Sequence, residues 1–160
     1  MDSGFSLVEF IVIFSALALL TGTIAVSVQD TTASVRLSNA ATQAMSDLRS
    51  LQEIAMNEYK NVSFTVDPGA DSYTMTVDGD ATVVYFNQGE YTDIGITSSS
   101  LGGTLSFSKT GQPMIGGTAF TNQVTVLSFN ESVDVFVYGD SGWISVESED
   151  WGGGGCGGGC

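Results

Sequence analysis

The chain has 160 residues, the length of one domain, and its 18 acids against 4 bases give a formal net charge of -14. Duplex nucleic acid is bound largely through Lys and Arg, so a chain whose bases are Arg36, Arg49, Lys60 and Lys109 is not expected to bind it. The chain has no histidine, which removes Ser-His and Cys-His triads and the usual general base and argues against an enzyme. Apolar residues make up 42% of the chain, enough for a folded core.

A run of uncharged residues extends from Phe10 to Gln29, bounded by Glu9 and Asp30. As a helix rising about 1.5 Å per residue it spans roughly 30 Å, the thickness of a bilayer core. A cleaved secretory signal has a basic start and a shorter apolar core, whereas residues 1–4 contain no Lys or Arg. The sequence therefore predicts a transmembrane helix.

Glu9 is an acid at the very start of this apolar run. A carboxylate at membrane depth costs about 2 to 3 kcal/mol, so such residues usually have a partner. A simpler interpretation is that Glu9 lies in the first turn of a helix, where an acid complements the helix dipole. The residues themselves leave both interpretations open.

The string Gly4-Phe5-Ser6-Leu7-Val8-Glu9 resembles the processing motif of type IV pilins and type II secretion pseudopilins. The resemblance implies that residues 1–4 are a leader, that a prepilin peptidase cleaves after Gly4, and that Phe5 becomes an N-methylated N-terminus. It further implies that Glu9 pairs with the Phe5 amine of a neighbouring subunit. The implied location is the bacterial inner membrane, with an extracytoplasmic head, and then a filament built by an inner-membrane assembly platform.

A second pattern follows the apolar run, where small or apolar residues recur at spacings of four and three. They form one stripe of an amphipathic helix: Leu37, Ala41, Ala44, Leu48, Leu51 and Ala55. No proline occurs before Pro68, so one helix of up to 55 residues is predicted. We expect residues 5–29 to lie in the membrane or filament core, and residues 30–60 to pack on the head.

From Asn61 the apolar period drops to two, which is typical of half-buried strands. Strands are predicted at 62–66, 73–77, 81–86, 105–108, 124–129, 133–138 and 143–146. Turns are predicted at Asp67-Pro68-Gly69 and at Asp78-Gly79-Asp80. The predicted fold is α+β and pilin-like, with a long N-terminal helix, membrane-spanning in its first half, packed on an antiparallel β-sheet head at 61–150.

The stretch from Ala44 to Val66 is similar to the junction between helix and first strand in GspH/FimT pseudopilins, which implies a minor subunit. Some FimT-type members bind DNA through basic residues near the C-terminus. Residues 131–150 contain six acids and no base, so a DNA-uptake role is not expected here.

Two further features leave their chemistry open. Asp67, Asp71, Asp78 and Asp80 have the carboxylates that calcium prefers, although aspartate is also a favoured turn residue. The tail 151–160 is rich in glycine and holds Cys156 and Cys160. It is consistent with a flexible end, with a disulfide in an oxidising compartment, or with a partial metal site.

The functional hypothesis is a non-enzymatic structural subunit without a cofactor, assembled into a type II secretion pseudopilus or a type IV pilus. Its expected partners are other pilin or pseudopilin subunits, the prepilin peptidase and the assembly platform. The alternative is a single-pass membrane-anchored β domain that binds a ligand and does not polymerise.

Overall fold

The computed structural model describes residues 7–148, and the side chains of residues 19–31 and 98 fall outside that description. The predicted leader, Phe5 and the tail 151–160 also lie outside the described residues. The described residues fall into two compact units, divided between Val35 and Arg36. The second unit contains the end of the helix and every described strand.

One α-helix, α1, extends from Leu7 to Asn57 in the described part of the chain. Its last turn is closed by a hydrogen bond from Glu58 N to Ile54 O of 3.0 Å. Tyr59 follows with a left-handed φ of 54°, a conformation that ends a helix because the next peptide no longer continues the spiral. The helix is thus continuous from Leu7 to Asn57, as the absence of proline before Pro68 allows.

Within residues 58–148, ten strands follow α1, and all of their pairings are antiparallel. A six-stranded sheet has the order β3-β2-β1-β5-β6-β7, and a four-stranded sheet has the order β10-β9-β8-β4. The strands are β1 (Val62–Asp67), β2 (Ser72–Val77), β3 (Asp80–Tyr85), β4 (Ile96–Ser98), β5 (Leu105–Phe107), β6 (Pro113–Ile115), β7 (Thr118–Ala119), β8 (Gln123–Phe129), β9 (Val133–Tyr138) and β10 (Ile144–Ser148).

All seven predicted strands are present, but the sequence did not indicate β4, β6 and β7 or the division into two sheets. These strands have two or three residues each, too few to show an alternating pattern. β4 pairs with β8, and the Asp71 carboxylate, distant in the sequence, also accepts a hydrogen bond from Ile96 N at 2.8 Å.

The core lies where the second part of α1 packs on the sheets. Five of the six predicted stripe residues are at most 2% exposed, and Leu37 packs against the core from its edge. Four alanines of this face, Ala40, Ala41, Ala44 and Ala55, are fully buried. The chain is therefore an α+β protein with a helix packed on antiparallel sheets.

Candidate functional site

The first turns of α1 expose apolar side chains in every direction around the helix axis. Eight large apolar residues between positions 7 and 17 are 45 to 75% exposed: Leu7, Val8, Phe10, Ile11, Val12, Ile13, Phe14 and Leu17. Consecutive positions on a helix point about 100° apart, so residues 10–14 alone cover the whole circumference. A helix that is apolar all round is normally buried, in lipid or among other helices.

Two local contacts are consistent with this apolar setting. The Ser15 hydroxyl donates to the Ile11 carbonyl at 2.8 Å, which satisfies its hydrogen within the helix. The rings of Phe10 and Phe14 lie 4.6 Å apart between centroids, one helical turn apart on the same side. Among the described side chains of residues 7–18, the polar ones are Ser15 and Glu9.

Glu9 lies in the first turn of α1, as one of the two sequence interpretations expects. The amide groups at a helix N-terminus favour an acid there, but they do not neutralise its charge. The sequence has no Lys, Arg or His among residues 1–35, so no side chain in this part of the sequence offers Glu9 a positive charge. Gly4 and Phe5 lie outside the described residues, so the predicted partner of Glu9 is not placed.

Among the side chains that the structure describes, no helical segment meets the length and apolarity needed to cross a membrane. The predicted span, residues 10–29, includes side chains 19–29, which lie outside that set.

The second part of α1 is attached to the sheets by polar contacts as well as by its apolar stripe. The buried Tyr73 of β2 donates its hydroxyl hydrogen to the Asp47 carboxylate at 2.5 Å, and Tyr91 donates to the Gln43 side-chain oxygen. Burial, the hydrogen bond to Asp47 and the charge of that carboxylate together raise the pKa of Tyr73 far above its usual range. The phenol therefore stays protonated and keeps donating at any ordinary pH.

Two longer side chains bind main-chain oxygens at the other end of this segment. Arg49 Nη2 donates to Ile144 O at 3.0 Å, and its guanidinium carbon lies 5.6 Å from the centre of the Trp143 ring. Gln52 Nε2 donates to Gly111 O at 2.8 Å and to the Gly142 carbonyl at 3.2 Å. These contacts fix the rotation of the helix on the sheets, and sequence reasoning missed all of them because no local pattern records such pairings.

An open groove of about 420 Å³ lies along the outward side of the same helical segment. Its lining consists of Thr42, Met45, Ser46, Arg49, Ser50 and Glu53. All six residues come from α1, and Arg49 is already engaged by Ile144 O. The groove is thus a feature of the helix surface rather than a site assembled from several elements.

The four aspartates proposed for calcium lie at opposite ends of β2. At one end, Asp67 Oδ1 accepts hydrogen bonds from Gly69 N (3.0 Å) and Ala70 N (3.2 Å). Asp71 precedes β2 at the same end, and its carboxylate is bound by Ile96 N and, at 3.4 Å, by Asn87 Nδ2. The contacts of Asp67 are turn contacts, the alternative role that the sequence left open, whereas those of Asp71 join segments that are distant in the sequence.

Asp78 and Asp80 flank the hairpin at the other end of β2, and Asp78 Oδ1 accepts from Asn61 N at 2.9 Å. A strand rises about 3.3 Å per residue, so the six residues of β2 separate the two pairs by roughly 20 Å. The structure therefore does not bring the four carboxylates together. Among the described residues, no three ligand-type side chains form a group able to hold a metal ion. Cys156 and Cys160 lie outside the described residues.

Comparisons with models of protein families, with curated proteins and with solved structures return no match to this chain.

Proposed function

We propose that this chain is a structural, pilin-like subunit that assembles into a filament through its N-terminal helix. The observation that carries the proposal is the pairing of two features in α1: a first segment that exposes apolar side chains all round, and a lone acid in its first turn. The buried core of the head begins at Ala40, with Leu37 packed against it, and it includes neither Glu9 nor the exposed apolar residues of positions 7–17.

The exposed apolar side chains require a covering. Burying a large apolar side chain contributes about 1.5 to 3 kcal/mol, so eight of them at half exposure leave on the order of 10 kcal/mol unrealised in a single chain. Lipid acyl chains supply this covering before assembly, and the helices of neighbouring subunits supply it afterwards. A filament core made of such helices leaves the heads outside.

Glu9 then selects the register of assembly. A carboxylate buried among apolar helices without a partner costs several kcal/mol, and a cation placed beside it recovers much of that loss. The nearest cation of the right chemistry is the amine of a neighbouring subunit that begins at Phe5. A subunit docked in the wrong register leaves both charges unpaired, so the correct register is favoured.

In this proposal a prepilin peptidase cleaves after Gly4 and Phe5 is N-methylated. The subunit resides in the bacterial inner membrane with its head outside the cytoplasm until an assembly platform adds it to a type II secretion pseudopilus or a type IV pilus. The likeness of residues 44–66 to the GspH/FimT pseudopilins favours a minor subunit. The proposed role involves no catalysis and no cofactor.

The test is charge removal at Glu9, with Glu53→Gln as a matched control on the exposed side of the same helix. Each variant is expressed with the assembly machinery of its host, and its amounts in membranes and in sheared filaments are measured. We expect Glu9→Gln to insert and to be processed normally, but to enter filaments at less than about a tenth of the normal level, because one tenfold factor corresponds to about 1.4 kcal/mol. Glu53→Gln should assemble normally.

Normal incorporation of Glu9→Gln would contradict the pairing role. If the unaltered chain inserts into membranes but never enters a filament, the alternative of a membrane-anchored binding module replaces this proposal.

A further inference from the structure

β3 is the terminal strand of the six-stranded sheet, and among the described residues no strand pairs with its outer side. It has six residues and follows β2 through a two-residue turn in which Asp78 and Gly79 have φ of 50° and 99°. Positive φ at both positions is the conformation that closes a regular hairpin. An open, regular edge of this kind is a template for another strand.

The hydrogen-bond pattern identifies which main-chain groups of β3 face outward. Phe86 N donates to Asp71 O at 2.7 Å, one position beyond the last pair of the β2–β3 ladder. Phe86 and Asp71 are therefore a hydrogen-bonded pair, and the main-chain groups of Phe86 face β2. Such pairs alternate with non-bonded pairs in an antiparallel ladder, so residues 84, 82 and 80 also face β2. The N–H and C=O groups of Ala81, Val83 and Tyr85 therefore point to the open edge.

The same three residues carry the exposed side chains of this edge. Val83 is 43% exposed and Tyr85 is 51% exposed, and Ala81 is exposed beside them. Their cross-strand neighbours on β2 are Ser72, Thr74 and Thr76, which all carry hydroxyl groups. The three apolar side chains of β3 therefore lie at the edge of a polar face of the sheet. Ala81, Val83 and Tyr85 thus each have outward main-chain groups and an exposed side chain.

We propose that β3 pairs with β3 of a second copy of this chain, antiparallel, with Val83 opposite Val83. This register places Ala81 opposite Tyr85 and Tyr85 opposite Ala81, so every residue with outward main-chain groups meets another such residue. The small Ala81 leaves room for the Tyr85 ring across the pair, which is the complementarity that a two-fold interface requires.

Charge placement supports the second copy as the occupant. Asp80, the single charged residue of β3, faces Phe86 in this register, so no two carboxylates meet. Lys60 is paired with Glu58 at 2.6 Å and interacts more weakly with Asp78 and Asp80, so it offsets only a small part of the negative charge at the hairpin. The net charge of -14 on each chain still opposes approach at long range, and salt screens that repulsion beyond about 10 Å. Pairing should therefore strengthen as salt is added.

The test is disulfide trapping in the full-length chain in detergent, with both tail cysteines replaced by serine. Cα atoms of a hydrogen-bonded antiparallel pair lie about 5.5 Å apart, within the range that a disulfide spans. Val83→Cys should cross-link to itself at least about tenfold faster than Thr118→Cys, a matched exposed position on β7 at the other edge of the same sheet, because pairing raises the local thiol concentration. Both rates are measured at low and high salt.

A second arm tests the register. A mixture of Ala81→Cys and Tyr85→Cys chains should form the mixed dimer, while neither variant alone should cross-link faster than Thr118→Cys. Equal cross-linking rates for Val83→Cys and Thr118→Cys would overturn the proposal. It would also be overturned if the Val83 amide of the unaltered chain were protected from hydrogen exchange to the same extent at every protein concentration. The latter result would mean that another segment of the same chain covers β3. The inference does not depend on the proposed function, since it concerns the head alone.

Discussion

The hydrogen bond between Tyr73 and Asp47 joins the last third of α1 to β2, the strand next to the β3 edge of the six-stranded sheet, and its removal should weaken the head measurably. Tyr73→Phe deletes the donor without changing the volume of the ring, which stacks on Phe64 at 4.8 Å between centroids. The Asp47 carboxylate, half-buried, is then left without this partner.

A hydrogen bond to a charged group contributes about 1.5 to 3 kcal/mol, so we expect Tyr73→Phe to lower the free energy of unfolding by that amount. Tyr85→Phe, which removes a hydroxyl from a residue that is 51% exposed, should change it by less than about 0.5 kcal/mol. Urea unfolding of the full chain in detergent, followed by circular dichroism, gives both values.

The pH dependence gives an independent check on the same contact. Because folding raises the pKa of Tyr73, mainly through burial, the stabilisation is fully present below the unfolded-state pKa of about 10. Above that pH the unfolded chain loses the proton first, and the free energy of unfolding should fall by up to about 1.4 kcal/mol per pH unit. Tyr91 has a raised pKa for a related reason, chiefly burial, so Tyr73→Phe should reduce this slope rather than abolish it. An unchanged slope, or a loss below about 0.5 kcal/mol at neutral pH, would refute the reasoning.

Two further substitutions test how the head is held together. Arg49→Met removes the hydrogen bond to the Ile144 carbonyl and the positive charge above the Trp143 ring. It should lower the free energy of unfolding by about 1 to 2 kcal/mol. Arg36→Met, at an exposed position on the same helix, should leave it unchanged in the same urea titration. Gly139→Ala places a methyl group against the carbonyl of Phe120 and should cost about 1 to 3 kcal/mol or prevent folding. Gly103→Ala, where the added carbon has only an ordinary contact at 3.6 Å, should cost less than about 1 kcal/mol by thermal unfolding; equal effects at the two glycines would contradict the close contact between Gly139 and the Phe120 carbonyl.

The features that could be predicted from the sequence are those with a local physical cause. The stripe from Leu37 to Ala55 repeats with the helical period, and burial of one face of a helix follows from that period. The hairpin at Asp78-Gly79 was predicted because few residues adopt positive φ at low cost.

The features that escaped prediction depend on where distant segments meet. Nothing near Tyr73 in the sequence indicates that its hydroxyl contacts Asp47, since that contact exists only after β2 packs under the helix. The role of Asp71 was open for the same reason, because its carboxylate binds Ile96 N, 25 residues away. For the candidate site, the sequence placed Glu9 at a helix start, and the structure adds that its neighbours expose apolar side chains in all directions. Its pairing with a Phe5 amine stays a prediction.

Assembly as proposed depends on cleavage after Gly4, since without it no subunit begins at Phe5 and Glu9 has no proposed partner. Intact-mass and N-terminal fragment spectra of the protein from the organism that makes it test this most directly. We expect a chain that begins at Phe5 and carries one methyl group on its amine. A chain that retains residues 1–4 would contradict it and would favour a membrane-anchored binding module that does not polymerise.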